Sequence, residues 1–142
     1  MYKYYFTSGF LYHPSSEQIL LEKVTENNQT ELVLFRGKSS KGNSHKKVFQ
    51  LAVEKSLQIT IPLSSIKEVY DYIHNTLEKR FIFYVEFKDE IPVSQNTKNS
   101  GWFQLTKLSK YPMSEQTQHD IIVGQRVIRA RSNPASSIGQ RQ

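Results

Sequence analysis

Gly37–Ile59, GKSSKGNSHKKVFQLAVEKSLQI, reads as a polar loop that runs directly into an amphipathic helix. Glycine, serine, lysine and asparagine fill its first half, a composition that favours turns over regular structure. Ser44 stands where a side chain can satisfy the first free N–H groups of a helix. From His45 to Ser56 the apolar residues Val48, Phe49, Ala52 and Val53 fall at i, i+1, i+4 and i+5, which predicts a helix with one buried stripe. Arg36, Lys38, Lys41, Lys46 and Lys47 put five fixed positive charges into twelve residues, with His45 among them. Guanidinium and ammonium groups beside glycine amides at a helix N-terminus can hold phosphate without a metal. Arg36, Gly37, Lys38, Lys41 and Lys47 are therefore the candidate ligand-binding residues. The competing reading is a solvated lysine-rich loop with no ligand.

On the N-terminal side, Tyr2–Tyr12 is aromatic and β-prone, and a turn at His13–Ser16 leads to a second strand, Gln18–Val24. Thr25–Thr30 (TENNQT) reads as a hairpin loop, Glu31–Phe35 as a third, buried strand, and Arg36–Ser44 as loop. Beyond the helix, Leu57–Ile61 alternates as a short strand. Ser64–Arg80 fits two templates: Ile66, Val69, Tyr70, Ile73 and Leu77 make a helical stripe, while the β-branched and aromatic content fits a strand. Phe81–Phe87 (FIFYVEF) is the strongest strand signal in the chain. Lys88–Ser100 is a polar loop, Gly101-Trp102-Phe103 opens another strand, and Ser114 caps a last helix reaching about Arg131. Ile121, Ile122, Val127 and Ile128 are predicted on the inner side of that helix. Residues 132–142 (SNPASSIGQRQ) are small and polar and are expected to be disordered. The pattern is α+β or α/β, one domain over residues 1–131.

With 142 residues and 16.6 kDa the chain can bury a proper core, and its 8 Phe, 8 Tyr and 1 Trp supply large pieces for one. There is no cysteine, which excludes disulfides, thiolate metal sites and cysteine nucleophiles. No apolar run approaches the roughly 18–20 residues of a membrane helix, so no membrane partner is expected and the cytoplasm is the expected compartment. The net charge of +6 is spread along the whole chain, which predicts a solvated basic surface and no nucleic-acid partner. The four histidines show no zinc spacing, and no G-x-S-x-G elbow is present. Gly37-Lys38-Ser39 ends like a P-loop, but the earlier glycine that loop needs is Leu32. Trp102 reads as a core residue, and Tyr70 and Tyr72 either line a pocket or simply pack.

Gly37–Ile59 resembles the Nudix box, Gly-x5-Glu-x7-Arg-Glu-U-x-Glu-Glu-x-Gly-U with U a bulky aliphatic residue. Gly37, Val53 and Ile59 fit, and Gly42 falls where many members carry a second glycine. The Glu, Arg, Glu, Glu, Glu and Gly positions read here as Asn43, Leu51, Ala52, Lys55, Ser56 and Gln58. The order of pieces from Tyr4 to Ala130 is also similar to the Nudix hydrolase superfamily. Ser8–Tyr12 and Gln18–Lys23 resemble its first strand pair, Leu32–Gly37 the strand before the box, and Trp102-Phe103 with Leu105 the segment ahead of the last helix. The resemblance implies a mixed β-sheet sandwiched between helices, with a ligand site where the loop meets the helix.

In active members three box glutamates bind Mg2+ or Mn2+ against a substrate diphosphate. The resemblance carries those positions to Ala52, Lys55 and Ser56, which share one helical face. A hard cation needs oxygen ligands, preferably carboxylates, so no metal or other cofactor is expected at the box. Losing the metal's contribution would cost on the order of a thousandfold in rate or more. The first expectation is thus a non-hydrolysing or weakly active binder of a small, nucleotide-like phosphorylated ligand. The second is a pyrophosphohydrolase of a nucleoside-diphosphate-linked substrate, using Mg2+ or Mn2+ on relocated acids. Its candidate catalytic residues are Glu86, Asp89 and Glu90 after the strongest strand, and Glu54, displaced from the acidic pair by about 100° around the helix. The third is a partner-binding domain with a vestigial pocket, a homodimer included. His119-Asp120 reads as a cap-side or surface pair.

Overall fold

Strand β1 (Tyr4–His13) organises the chain because it has different neighbours along its length. One edge pairs in parallel with β6 (Glu78–Glu86) over nine residues, from Tyr4 opposite Glu78 to Tyr12 opposite Glu86. The other edge is divided. Phe6–Gly9 pairs antiparallel with β4 (Phe35–Lys38), whereas Leu11–His13 pairs antiparallel with β2 (Gln18–Glu26). Outside these, β2 pairs with β3 (Gln29–Val33) and β7 (Ser100–Gln104), and β6 pairs with β5 (Ile66–Asn75). The computed structural model describes residues 4–39, 42–75, 78–89 and 97–132. Its single sheet has seven strands, order β3-β2-β1-β6-β5 with β4 on β1 and β7 on β2. Among the described residues no helix is long and apolar enough to cross a membrane.

Side chains alternate across the strands, so each face of the sheet builds its own core. Leu11, Leu20, Phe35, Phe81, Phe83 and Val85 face helix α1 (His45–Leu57), whose Phe49 and Val53 complete that cluster. Phe10, Ile19, Leu21, Leu32 and Tyr84 face helix α2 (Glu115–Ser132), which supplies Ile121 and Ile128. This is the expected mixed sheet between helices. Ser44 caps α1 as predicted, accepting from the Lys47 amide at 3.3 Å, and Ser114 accepts from the Thr117 amide at 3.1 Å. Gly37 lets β4 lie close on α1: a Cβ there would press on Val48 at 3.1 Å and on the Ala52 methyl at 3.2 Å. Trp102 is in the core as expected, 8% exposed.

Several local expectations are corrected. The TENNQT loop shrinks to two residues, Asn27 and Asn28, both at positive φ (51° and 63°) as a type I′ hairpin turn requires; Thr25 still pairs with Thr30. The expected strand Glu31–Phe35 breaks at Leu34, and Arg36–Lys38, expected as loop, continues from Phe35 as β4. Leu57–Ile61 is not a strand: Leu57 ends α1, and Gln58, left-handed at φ 59°, terminates it with its amide on the Glu54 carbonyl. Of the ambiguous segment Ser64–Arg80, Ile66–Asn75 is strand β5, with register shifts between Glu68 and Tyr70 and between Ile73 and Asn75, and Glu78–Arg80 opens β6. Ile122 is 48% exposed, not inward, and Leu105–Lys110 forms a 3-10 helix that the sequence did not signal. Residues 133–142, expected to be disordered, lie outside the described residues.

Candidate functional site

The change of partner along β1 opens the sheet. At Phe6–Gly9 the neighbour of β1 is β4, at Leu11–His13 it is β2, and the chain crosses between β3 and β4 at Leu34. Arg36 is two residues past this fork. Its register partner is Ser8, so its side chain projects to the α2 side of the sheet. A cleft of about 150 Å³ lies there, walled by Ser8, Leu34, Arg36, Tyr72, Arg80 and Asp120. A shallower trough of about 850 Å³ runs on along the β2–β3 hairpin past Val24, Gln29 and Glu31, and Arg36 lines both.

The far wall of the cleft is a polar network. The Tyr70 hydroxyl donates a short hydrogen bond to Oδ1 of Asp120, and Nε2 of Gln116 donates to the same oxygen at 2.9 Å. Asp120 is 3% exposed, correcting the expectation of a surface pair. Burial pushes its carboxyl above the usual range, against the Tyr70 and Gln116 hydrogen bonds, which favour the charged form. Burial, then the Asp120 hydrogen bond and charge, raise the Tyr70 hydroxyl well above its ordinary value. Below it, Nε of Arg80 donates to Glu78, itself 7% exposed. Burial works against the Arg80 charge, but Glu78 and Tyr72 more than offset it and hold the guanidinium protonated. Tyr70 stacks on Tyr72 with ring centres 5.5 Å apart. Tyr72 thus lines the pocket, one of the two roles open to it.

On the other face, α1 presents Ala52, Lys55 and Ser56, a methyl, an ammonium and a hydroxyl. The Ser56 hydroxyl donates to Oε2 of Glu22 on β2 at 3.4 Å. Burial raises the Glu22 carboxyl, while Ser56 and the Arg36 charge pull it down. Arg36 therefore lines the cleft and its charge is also felt by the acid beside the box helix. One half-buried carboxylate with one hydroxyl does not fit a divalent ion that takes six or more oxygens. Among the described residues no three His, Asp or Glu side chains are placed to hold a metal.

The cationic candidates are separated by the fold. Arg36 and Lys38 project to the α2 side, where Lys38 sits over the Tyr4 ring at 5.2 Å. Lys47 is on α1, across the sheet, and its ammonium donates to Gln50 at 2.9 Å; Gln50 in turn donates to the Ile61 carbonyl. Gly37 faces α1, and Lys41 lies outside the described residues. Of the acidic candidates, Glu86 and Asp89 border a groove with Ile59, Pro62 and Phe87 past the end of α1, and Glu86 is 4.0 Å from Lys88. Glu54 is half-buried on α1, where its carbonyl accepts from Gln58; Glu90 lies outside the described residues. Glu22, Arg80 and Asp120 were not singled out as ligand residues. Their partners Ser56, Tyr72 and Tyr70 are 34, 8 and 50 residues away, and only the apolar run before Glu22 hinted at its burial.

No family model matches the chain, and no curated protein matches its sequence. Solved structures do match. A MutT from the pair studied in Aliivibrio salmonicida and Vibrio cholerae has a TM-score of 0.65 at 17% identity, covering 87% of this chain and 94% of its own. The Nudix domain of Shewanella oneidensis NrtR, solved with ADP-ribose, has a TM-score of 0.67 at 10% identity, covering 90% of each chain. A MutT/Nudix family protein from Listeria innocua has a TM-score of 0.64 at 12% identity, with coverage of 94% and 97%. At these identities the likeness establishes the fold.

Proposed function

We propose that this chain, which has the Nudix fold, binds a phosphorylated, nucleotide-like ligand without hydrolysing it by the metal route. The observation that carries this reading is the position of Arg36, at the junction of the cleft and the trough and within electrostatic reach of Glu22. A fixed guanidinium there supplies the positive charge that a metal would bring, and it binds phosphate oxygens with two parallel N–H donors. Arg80 adds a second guanidinium to the same cleft, and Tyr72 a ring against which a planar group can lie. The box positions Ala52, Lys55 and Ser56 lack the carboxylates that would hold Mg2+ or Mn2+, so no hydrolytic step is assigned to them. The ADP-ribose held by the Shewanella domain supports a nucleotide-like ligand.

The test is calorimetric titration with nucleoside diphosphates and dinucleotides, with and without Mg2+. Binding that is independent of Mg2+ and at least about tenfold weaker in Arg36→Gln is expected, since a charged hydrogen bond contributes about 1.5–3 kcal/mol. No binding at millimolar ligand in either condition would sink the reading.

Glu22 favours a second reading, a hydrolase with a relocated acid, because this carboxylate lies against Ser56. Metal-dependent release of phosphate from a nucleotide panel, abolished by Glu22→Gln, would establish it in place of the first.

A further inference from the structure

We propose that the sheet face bearing Tyr4, Phe6 and Lys38 binds single-stranded nucleic acid, with bases on the two rings and phosphates on Lys38 and Arg36. The register builds this face. Lys38 on β4 is opposite Phe6 on β1, Phe6 is opposite Arg80 on β6, and Arg80 is opposite Tyr72 on β5. One row across four neighbouring strands therefore reads cation, ring, cation, ring. Tyr4, two residues before Phe6 on the same face, meets it edge to face with ring centres 5.9 Å apart. Tyr4, Phe6, Arg80 and Tyr72 are each half-buried, and Lys38 is exposed, so the row is open to solvent.

The charge around this row suits a polyanion. The carboxylates next to it, Glu78 and Asp120, are buried and committed to Arg80 and to Tyr70 and Gln116. Among the described residues of this row and its neighbours on β1 and β4, the exposed charged groups are Arg36 and Lys38, both cations, while Glu31 lies further along the trough beyond Arg36. The spread of lysines along the sequence argued against a nucleic-acid partner, but the fold gathers residues 4, 6, 36 and 38 onto one surface. Lys38 already lies over the Tyr4 ring at 5.2 Å. A cation over an exposed ring is a weaker contact than a base stacked on that ring. A strand can therefore displace Lys38 from the ring and retain it as a phosphate contact. A duplex cannot, because its bases are stacked on one another. Arg36, Arg80 and Tyr72 also line the ligand cleft, whereas Tyr4, Phe6 and Lys38 do not, and the test rests on these three.

The test is fluorescence anisotropy of labelled oligo(dT) and oligo(rU), a duplex of equal length, and a nucleoside diphosphate as the control ligand. Both single strands are expected to bind, the stronger arm identifying DNA or RNA, with the duplex at least about tenfold weaker. Tyr4→Leu and Phe6→Leu should each weaken strand binding about tenfold. Lys38→Gln, a surface change that folding tolerates, should lower the slope of log K against log salt by about 0.7. None of the three should alter binding of the diphosphate. Diphosphate binding without strand binding at low salt would overturn this proposal and leave the ligand reading standing. Strand binding that is unchanged in Lys38→Gln and in folded Tyr4→Leu would also overturn it, as would equal affinity for the duplex.

Discussion

The hydroxyl of Ser56 donates to the carboxylate of Glu22 across 3.4 Å, tying helix α1 to strand β2 at the position where the Nudix box would place an acid. The Arg36 charge favours the ionised form of the same carboxylate, although burial prevails and raises the carboxyl. Arg36→Gln should therefore raise the Glu22 titration further, as read by carboxyl 13C shifts against pH. The sign for stability follows from linkage. A carboxyl raised in the folded state contributes most below its unfolded pKa, and that contribution is lost as pH rises to the folded value. The variant should lose more stability over this interval than the parent. An unmoved Glu22 titration would mean that Arg36 does not act on it.

If α1 lacks only the anionic groups for a metal, supplying them should create a site. Lys55→Glu with Ser56→Glu puts two carboxylates on exposed positions of α1 beside Glu22. Without metal the variant should melt lower than the parent, because three carboxylates then repel one another. Millimolar Mn2+ should restore and exceed the parent melting temperature, since a ligand that binds only the folded state stabilises it by RT ln(1 + [L]/Kd). The parent chain should show no such shift. A melting temperature unresponsive to Mn2+ in both proteins would show that this helix face does not converge with Glu22.

Tyr70→Phe removes one of the two donors to the Asp120 oxygen and leaves Gln116 alone on a carboxylate that is 3% exposed. The loss should be about 1–3 kcal/mol, the range for depriving a buried group of a partner. It should also depend on pH. The Tyr70 hydroxyl favours the charged carboxylate, so without it the raised Asp120 titration rises further. Stability from this group is complete below the unfolded carboxyl range and falls as pH climbs through the folded value. The deficit of the variant should therefore be larger at neutral pH than in acid, as measured by urea unfolding at both. Equal deficits would mean that the Tyr70 hydroxyl does not act through the ionisation of Asp120.

What the sequence made legible was what neighbouring residues decide among themselves. The α1 stripe and its Ser44 cap, the strength of β6 and the cap of α2 depend on side chains within a few positions of one another. The misreadings share a cause in pairing. ELVLFRGK is one β-prone run, yet it serves two partners, β2 up to Val33 and β1 from Phe35, and periodicity carries no mark of that exchange. TENNQT looked like loop because it is polar, but the ribbon end it forms is exposed on both faces and has no need of apolar residues. In β5 the shift between Glu68 and Tyr70 inserts a residue into the alternation. Val69 and Tyr70 then both turn toward α2, and two adjacent residues on one side copy a helical stripe. Ile73, counted in that stripe, is 67% exposed.

The site was less legible for the same reason. Gly37 and Lys38 were grouped with Lys47 because they are close in sequence, whereas the sheet puts Lys38 on one face and Lys47 on the other. Among the described loop candidates, Arg36 alone lines the cleft. The acid bonded to the box helix at Ser56 comes from β2, a strand that reads as plain core until its end.

Gly9 offers the sharpest check on how tightly β1 is held. A Cβ there would lie 2.2 Å from the carbonyl oxygen of Phe83 and 2.7 Å from the Phe49 ring. The carbonyl belongs to the parallel β1–β6 ladder and cannot retreat without breaking it, and the ring is fully buried against Phe83. Gly9→Ala should therefore cost about 3 kcal/mol or more, the upper end for overpacking. Gly42→Ala separates this from conformational strain: it has open space around it but φ of 84°, so about 1–2 kcal/mol is expected. Gly124→Ala should fall between them, because its Cβ would meet the Phe10 ring at 2.7 Å, a side chain that can shift where backbone cannot. Urea unfolding of the three variants should rank them Gly9, Gly124, Gly42 in order of loss. A Gly9→Ala protein as stable as the parent would mean that β1 and β6 lie further from α1 than this packing requires.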